Sequence, residues 1–241
     1  TYFGRLANMM DDIDESSYRN LGASISELGT ASVSTEKEIL AVAESIATTA
    51  NMAGFSADEV VGLSTAMASL RIRPEMARGA MQRIFAKINQ AVGEGSEVLD
   101  EYANLLGVTA DQAGALWRND PSQFFMRVNE QLSEMDDNVA RSIYMREQLQ
   151  ITNIRDVELL ARLSNGYDTY AASMDLAYDA YERGDYLEKE AGVIFETTAA
   201  HLTRLAAAFK GTLAAIGGES LEPINRFVTV LIDLLEWIRQ I

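Results

Sequence analysis

Residues 54–60 read GFSADEV, and residues 107–113 read GVTADQA. In each, a glycine follows a run of helix-favouring residues, one apolar residue intervenes, and Ser or Thr opens another run. Glycine adopts the left-handed conformation that ends a helix without a Cβ penalty, so Gly54 and Gly107 are stop positions. Ser56 and Thr109 are then N-caps. Glu59 and Gln112, three residues further on, complete capping boxes that satisfy orphan amide donors. Phe55 and Val108 stand where a hydrophobic staple belongs. Both stretches are tight helix–turn–helix corners, and they fold the chain back on itself.

The same punctuation recurs along the chain. Thr35 with Glu38 starts a helix whose apolar stripe is Ile39, Ala43, Ile46, Ala50 and Ala53. The helix after Gly54 shows Val60, Leu63, Met67 and Leu70 on one face. Pro74 suits a first helical turn, and the helix it opens carries Met81, Ile84, Phe85, Ile88 and Val92 before Gly93. Asp120-Pro121 is a further cap-and-start pair, leading into Phe124, Phe125, Val128 and Leu132. All are helically spaced, and no sustained period-two alternation suggests strands. Residues 34–185 therefore read as a compact domain of about eight short helices. An N-terminal helical segment, residues 1–33, holds a further amphipathic helix around Tyr18 to Leu28.

Beyond Gly184 the pattern lengthens. Three rows of residues spaced eleven apart, Leu187/Thr198/Phe209, Ala191/Leu202/Leu213 and Ile194/Leu205/Ile216, describe a nearly straight helix. Its length would be roughly 45 Å. Gly217 and Gly218 break it, and a heptad seam of Ile224, Phe227, Leu231, Leu234, Ile238 and Ile241 follows. The expected fold is all-α: a compact domain of short helices, then long helices over residues 186–241 that form an elongated, oligomeric bundle. The opening Thr1 and the seam that runs to Ile241 lead us to expect a piece of a longer chain.

Composition narrows the function. Among 241 residues, 36 acidic side chains face 20 basic ones, for a net charge of −16. That balance disfavours nonspecific attraction to nucleic acid or anionic lipid. The absence of cysteine excludes disulfides and thiolate metal sites. The most apolar windows, residues 202–218 and 227–238, are interrupted by Arg204, Lys210, Asp233 and Glu236. Neither reaches the roughly 20 uninterrupted apolar residues of a bilayer span.

Catalytic chemistry finds little support. His201 is the single histidine, and no orienting acid or nucleophile can be assigned to it. Residues 11–15, DDIDE, resemble the start of a calcium loop. Ser17 and Ala23 stand where that loop needs glycine and glutamate, which leaves a solvated acidic face. No glycine cluster matches a phosphate cradle. We therefore expect no catalytic, metal or cofactor site and no specific nucleic-acid binding. One patch stands out: Arg71, Arg73, Arg78, Arg83 and Lys87 gather five of the 20 basic residues. It reads either as a face that balances acidic neighbours or as a docking surface for an acidic partner. Helical spacing after Pro74 does not align Arg78, Arg83 and Lys87 in one stripe.

The stretch ANMAGFSADEVVGLSTAMASLRIRPEMARGAMQRIFAKI, residues 50–88, resembles the core of phage tail tape measure proteins through Gly54, Leu63, Ala66, Leu70, Gly79 and Arg83. LLGVTADQ is similar to that family's second glycine corner, and DPSQFFMRVNEQL to its Asp-Pro-led helix. ITNIRDVELLARLSNGYDTY, residues 151–170, resembles the next segment, although Gln150 and Ile151 stand where the family usually has a glycine. TTAAHLTRLAAAFKGTLAAIGGESLEPI is similar to its closing helix. The resemblance covers residues 35–225 or so and implies a structural virion protein that is not an enzyme. Such proteins set tail length as tube subunits polymerise around them, organise the tail tip and take part in DNA ejection. The implied partners are further copies in a homotrimer, the tail tube protein, tail tip or baseplate proteins, tail assembly chaperones and the host membrane during ejection. The implied location is the virion tail lumen or tip, after assembly in the host cytoplasm. Two rival readings remain, a membrane-active pore-forming helical protein and a helical assembly scaffold or chaperone.

Overall fold

Both glycine corners form. The computed structural model describes residues 15–186 and Lys189. Gly54 (φ 100°) and Gly107 (φ 65°) are left-handed. The Phe55 amide reaches back to the Ala50 carbonyl (3.0 Å), and Val108 does the same to Ala103 (3.0 Å). Thr109 completes its box, with its own amide donating to Gln112 Oε1 (3.0 Å) and its hydroxyl accepting from the Gln112 amide (3.3 Å). At Ser56 the amide donates to Glu59 Oε2 (2.8 Å), while the hydroxyl donates to Asp58 (2.6 Å).

Among the described residues these corners connect helices only. They are α1 Glu15–Ala31, α2 Glu36–Ala53, α3 Ala57–Ser69, α4 Pro74–Glu94, α5 Glu97–Leu106, α6 Ala110–Asn119, α7 Pro121–Ser133, α8 Asn138–Glu147, α9 Ile154–Asn165 and α10 Tyr167–Arg183. α4 runs through Gly93, where a stop was expected, and ends at left-handed Gly95 (φ 59°). Two further corners lack glycine. Arg71 (φ 57°) and Gln150 (φ 53°) occupy the left-handed region, and the next amides, Ile72 and Ile151, bond back to Met67 and Met145 (both 2.8 Å). A side chain in that conformation costs about 1 kcal/mol relative to glycine. Gln150 is the position where the sequence departs from the expected glycine, and its backbone keeps the glycine conformation.

Packing corrects the single stripe expected for α3. Every residue from Val60 to Met67 is buried, so this helix has no solvent face over two turns. Its hydroxyls bond within the helix, Ser64 to the Val60 carbonyl (2.6 Å) and Thr65 to Val61 (2.8 Å), which removes the cost of burying them. α2 and α10 close over it. A Cβ on Gly62 would lie 2.9 Å from Met174 Sδ and 3.1 Å from Ala177 Cβ, so α10 approaches to glycine distance. α1 also belongs to this core through Leu21, Ile25 and Leu28, and Arg183 pairs with its Glu27 at 2.7 Å. Residues 15–31 therefore pack with the helices that follow.

The other half of the core is aromatic. Phe85 stacks on Phe55 at 5.3 Å and meets Trp117 (5.3 Å) and Phe125 (5.5 Å) edge-on. Trp117 continues to Phe124 (5.3 Å) and Phe124 to Tyr102 (5.5 Å). Trp117 donates to Asn89 at 2.7 Å. Arg141 is a buried cation with no carboxylate among its partners. It donates to Met135 O (2.5 Å), Ser133 O (3.4 Å), Ser164 Oγ (3.4 Å) and Asn165 Oδ1, tying the C-terminal ends of α7 and α9. Those carbonyl ends carry partial negative charge, which suits a guanidinium. Contacts divide the chain after Tyr186. His201, the eleven-residue rows, the seam of Ile224, Phe227, Leu231, Leu234, Ile238 and Ile241, and the elongated bundle lie outside the described residues.

The two capping carboxylates differ in sign. Hydrogen bonds from the Thr35 backbone and side chain hold exposed Glu38 below the usual carboxylate range. Burial pushes Glu59 up, against its bonds to Ser56. Glu38 therefore adds stability above its unfolded pKa, lost as pH falls through its lowered value. Glu59 carries a penalty above its raised pKa that vanishes once it is protonated in both states. Gln at either position keeps the acceptor. Urea unfolding at neutral pH should show Glu38→Gln less stable and Glu59→Gln more stable than the parent, and both differences should shrink below the carboxylate range.

Candidate functional site, an arginine-lined groove

The corner at Arg71 and the start of α9 place several guanidinium groups together. α3 ends, Arg71 turns the chain in left-handed conformation, and Arg73 becomes the N-cap of α4, with Pro74 first in the helix. α9 packs on α4 and begins after Asn153, whose side chain accepts from the Arg155 amide at 2.9 Å. A groove of about 550 Å³ is lined there by Arg71, Arg73, Glu75, Met76, Arg155, Glu158 and Arg162. Arg162 is occupied: it pairs with Glu158 at 2.7 Å and reaches the Leu70 (3.5 Å) and Arg71 (3.4 Å) carbonyls. Arg71, Arg73 and Arg155 are exposed and form no ion pair among the described residues. Ile154, 70% exposed, adjoins Arg155.

These arginines sit where the fold would prefer other residues. Arg71 holds a glycine conformation. Arg73 is an N-cap with no acceptor to offer the first amides of α4, where Ser or Asp would contribute about 1 kcal/mol. Arg155 lies in the first turn of α9, beside the positive end of the helix dipole. Glu75 and Asp156 supply the acidic residues expected in those first turns.

The structure divides the five basic residues singled out in the sequence. Arg71 and Arg73 share the groove. Arg78 lines a separate one with Glu44, Glu75 and Gln82, and Lys87 another with Glu94 and Glu97. Arg83 turns to the fold. Its Nε lies 3.0 Å from each oxygen of Asp156 and its Nη2 lies 2.6 Å from Oδ1, with the Asp156 side chain 5% exposed and the Arg83 side chain 44%. This bonding pushes the Arg83 guanidinium pKa further up. Gly79 leaves room for it, since a Cβ there would lie 3.2 Å from Arg83 Nη1. Sequence reasoning missed Arg155 and Arg162. Their spacing of seven, with Glu158 between, marks one face of α9, but nothing local says that this face meets the Arg71 corner.

Among the described residues no group of three or more His, Cys, Asp or Glu is placed to hold a metal. No helix among them is long and apolar enough to cross a membrane. Residues 6–149 match the family model described as phage-related minor tail protein. No curated protein matches, and no solved structure matches.

Replacing Arg83 strands a buried carboxylate. Because the guanidinium is partly exposed, Arg83→Met should cost about 1–3 kcal/mol in urea unfolding, below the full cost of breaking a buried pair. Arg78→Met should stay within about 0.5 kcal/mol. Arg83→Lys should recover only part of the loss, since an ammonium cannot match two carboxylate oxygens at once.

Proposed function

The chain belongs to the phage-related minor tail protein family, and from that premise we propose that it is part of a tail tape measure protein. The family match carries this reading. The order of glycine corners, the Gly79–Arg83 turn and the Asp-Pro-led helix support it. In this reading residues 15–185 form a folded module at one end of the tail, and they do not measure length, because their corners reverse the chain repeatedly. Length is set by extended helix elsewhere in the polypeptide, at ~1.5 Å per residue. Residues 186–241 begin that part and trimerise through the seam from Ile224 to Ile241. The tail tube, tip and assembly proteins are its partners in the virion, and it leaves the tube when DNA is ejected. It acts through length and contact, with no catalytic step.

Electron microscopy of tails tests this. Helical residues inserted into the parent chain beyond residue 186 should lengthen the tail by ~1.5 Å each. Equal insertions between α7 and α8, in the exposed loop around Asp136, should leave length unchanged. Tails whose length ignores the first insertions would overturn the proposal.

A further inference from the structure

We infer that the groove between the Arg71 corner and the start of α9 is a docking site for an acidic segment of a partner protein. The inference stands on the geometry of the groove and does not depend on the tape measure reading. In a chain of net charge −16, three guanidinium groups that form no ion pair among the described residues converge on one depression, with Glu38 within electrostatic reach of Arg71. Two of them occupy positions that favour other residues: Arg71 a left-handed turn and Arg73 an N-cap. Stability does not explain such placements. A ligand that needs planar, forked donors does, because guanidinium groups bind carboxylates through two parallel hydrogen bonds.

The groove also indicates what kind of anion fits. Glu75 and Glu158 stand among the arginines, which interrupts any continuous track for a phosphate backbone. Met76 lines the same depression and Ile154 is exposed at its helix start, so apolar contact is available beside the charges. Alternating charge and apolar surface suits a polypeptide in which acidic residues are punctuated by apolar ones. It suits bare nucleic acid poorly. The volume, about 550 Å³, holds a short stretch of a few residues.

The misplacement of these arginines makes the test independent of folding damage. Fluorescence anisotropy with the full chain would use a fluorescein-labelled hexapeptide, Asp-Glu-Leu-Asp-Glu-Leu. Its neutral counterpart, Asn-Gln-Leu-Asn-Gln-Leu, and labelled hexathymidylate serve as controls. Arg71→Gly relieves the left-handed backbone and Arg73→Ser supplies a cap, so each should raise Tm while weakening the acidic peptide roughly tenfold. Gln150→Gly relieves the same backbone strain outside the groove and should raise Tm with binding unchanged. Arg78→Ser should also leave binding unchanged. The inference is overturned if the acidic peptide does not bind, or if the neutral peptide or hexathymidylate binds as well. Equal weakening by Gln150→Gly or Arg78→Ser would likewise sink it. So would a fall in Tm for both Arg71→Gly and Arg73→Ser, which would give the arginines a structural reason to be there.

Discussion

A helix without a solvent face dictates much of this fold. From Val60 to Met67, α3 touches protein on every side, so it cannot carry the polar stripe that most helices use. Its polar side chains must be small and must find partners within reach, which Ser64 and Thr65 do on the carbonyls one turn back. Its neighbours must come close enough to leave no void, and Gly62 allows α10 to do so. The chain must also turn sharply at both ends, first to lay α3 against α2 and then to return α4 to α2 and α9. Gly54 makes the first turn with little strain, and Arg71 makes the second at a cost.

Burial of α3 reaches its first turn and inverts an ordinary motif. Thr35–Glu38 and Ser56–Glu59 are the same capping pattern, and in both the cap residue's amide donates to the glutamate. Glu38 lies in water, and its hydrogen bonds favour the charged form. Glu59 sits where α3 enters the core, and desolvation outweighs its bonds to Ser56. Nearby Tyr170 is fully buried with its hydroxyl unpartnered among the described residues, and its pKa is pushed up for the same reason. A local motif therefore fixes where the helix starts, while depth in the fold fixes what its charge contributes.

That division explains which features were legible in the sequence. Corners at Gly54 and Gly107, the cap at Thr35 and the start at Asp120-Pro121 depend on residues within one turn of each other, and they were read directly. The corners at Arg71 and Gln150 carry no glycine, so the strongest local signal for a left-handed residue was missing. The end of α4 slipped from Gly93 to Gly95 because both glycines fit and only the backbone decides between them. Burial on all sides of α3, the place of α1 in the core and the Arg83–Asp156 pair are products of distant packing. Asp156 is 73 residues from Arg83, and no periodicity connects them. The basic cluster was visible as composition, but its division into one structural pair, one shared groove and two separate surfaces was not.

Arg83 and Arg71 show how alike residues in one short stretch come to different uses. Arg83 lies along its own helix over bare Gly79 and meets a buried carboxylate, so its charge is consumed in holding α4 to α9. Arg71 sits twelve residues earlier, on a corner whose backbone would be easier with glycine; Glu38 lies within electrostatic reach, but no carboxylate among the described residues forms an ion pair with it. The same fold that satisfies one guanidinium leaves the other facing outward beside Arg73 and Arg155. In a strongly acidic molecule most surface repels acidic partners, so a small patch of opposite sign gives such a partner a place to land. Interleaved Glu75 and Glu158 narrow that choice further, because they repel a uniform polyanion while leaving forks for single carboxylates.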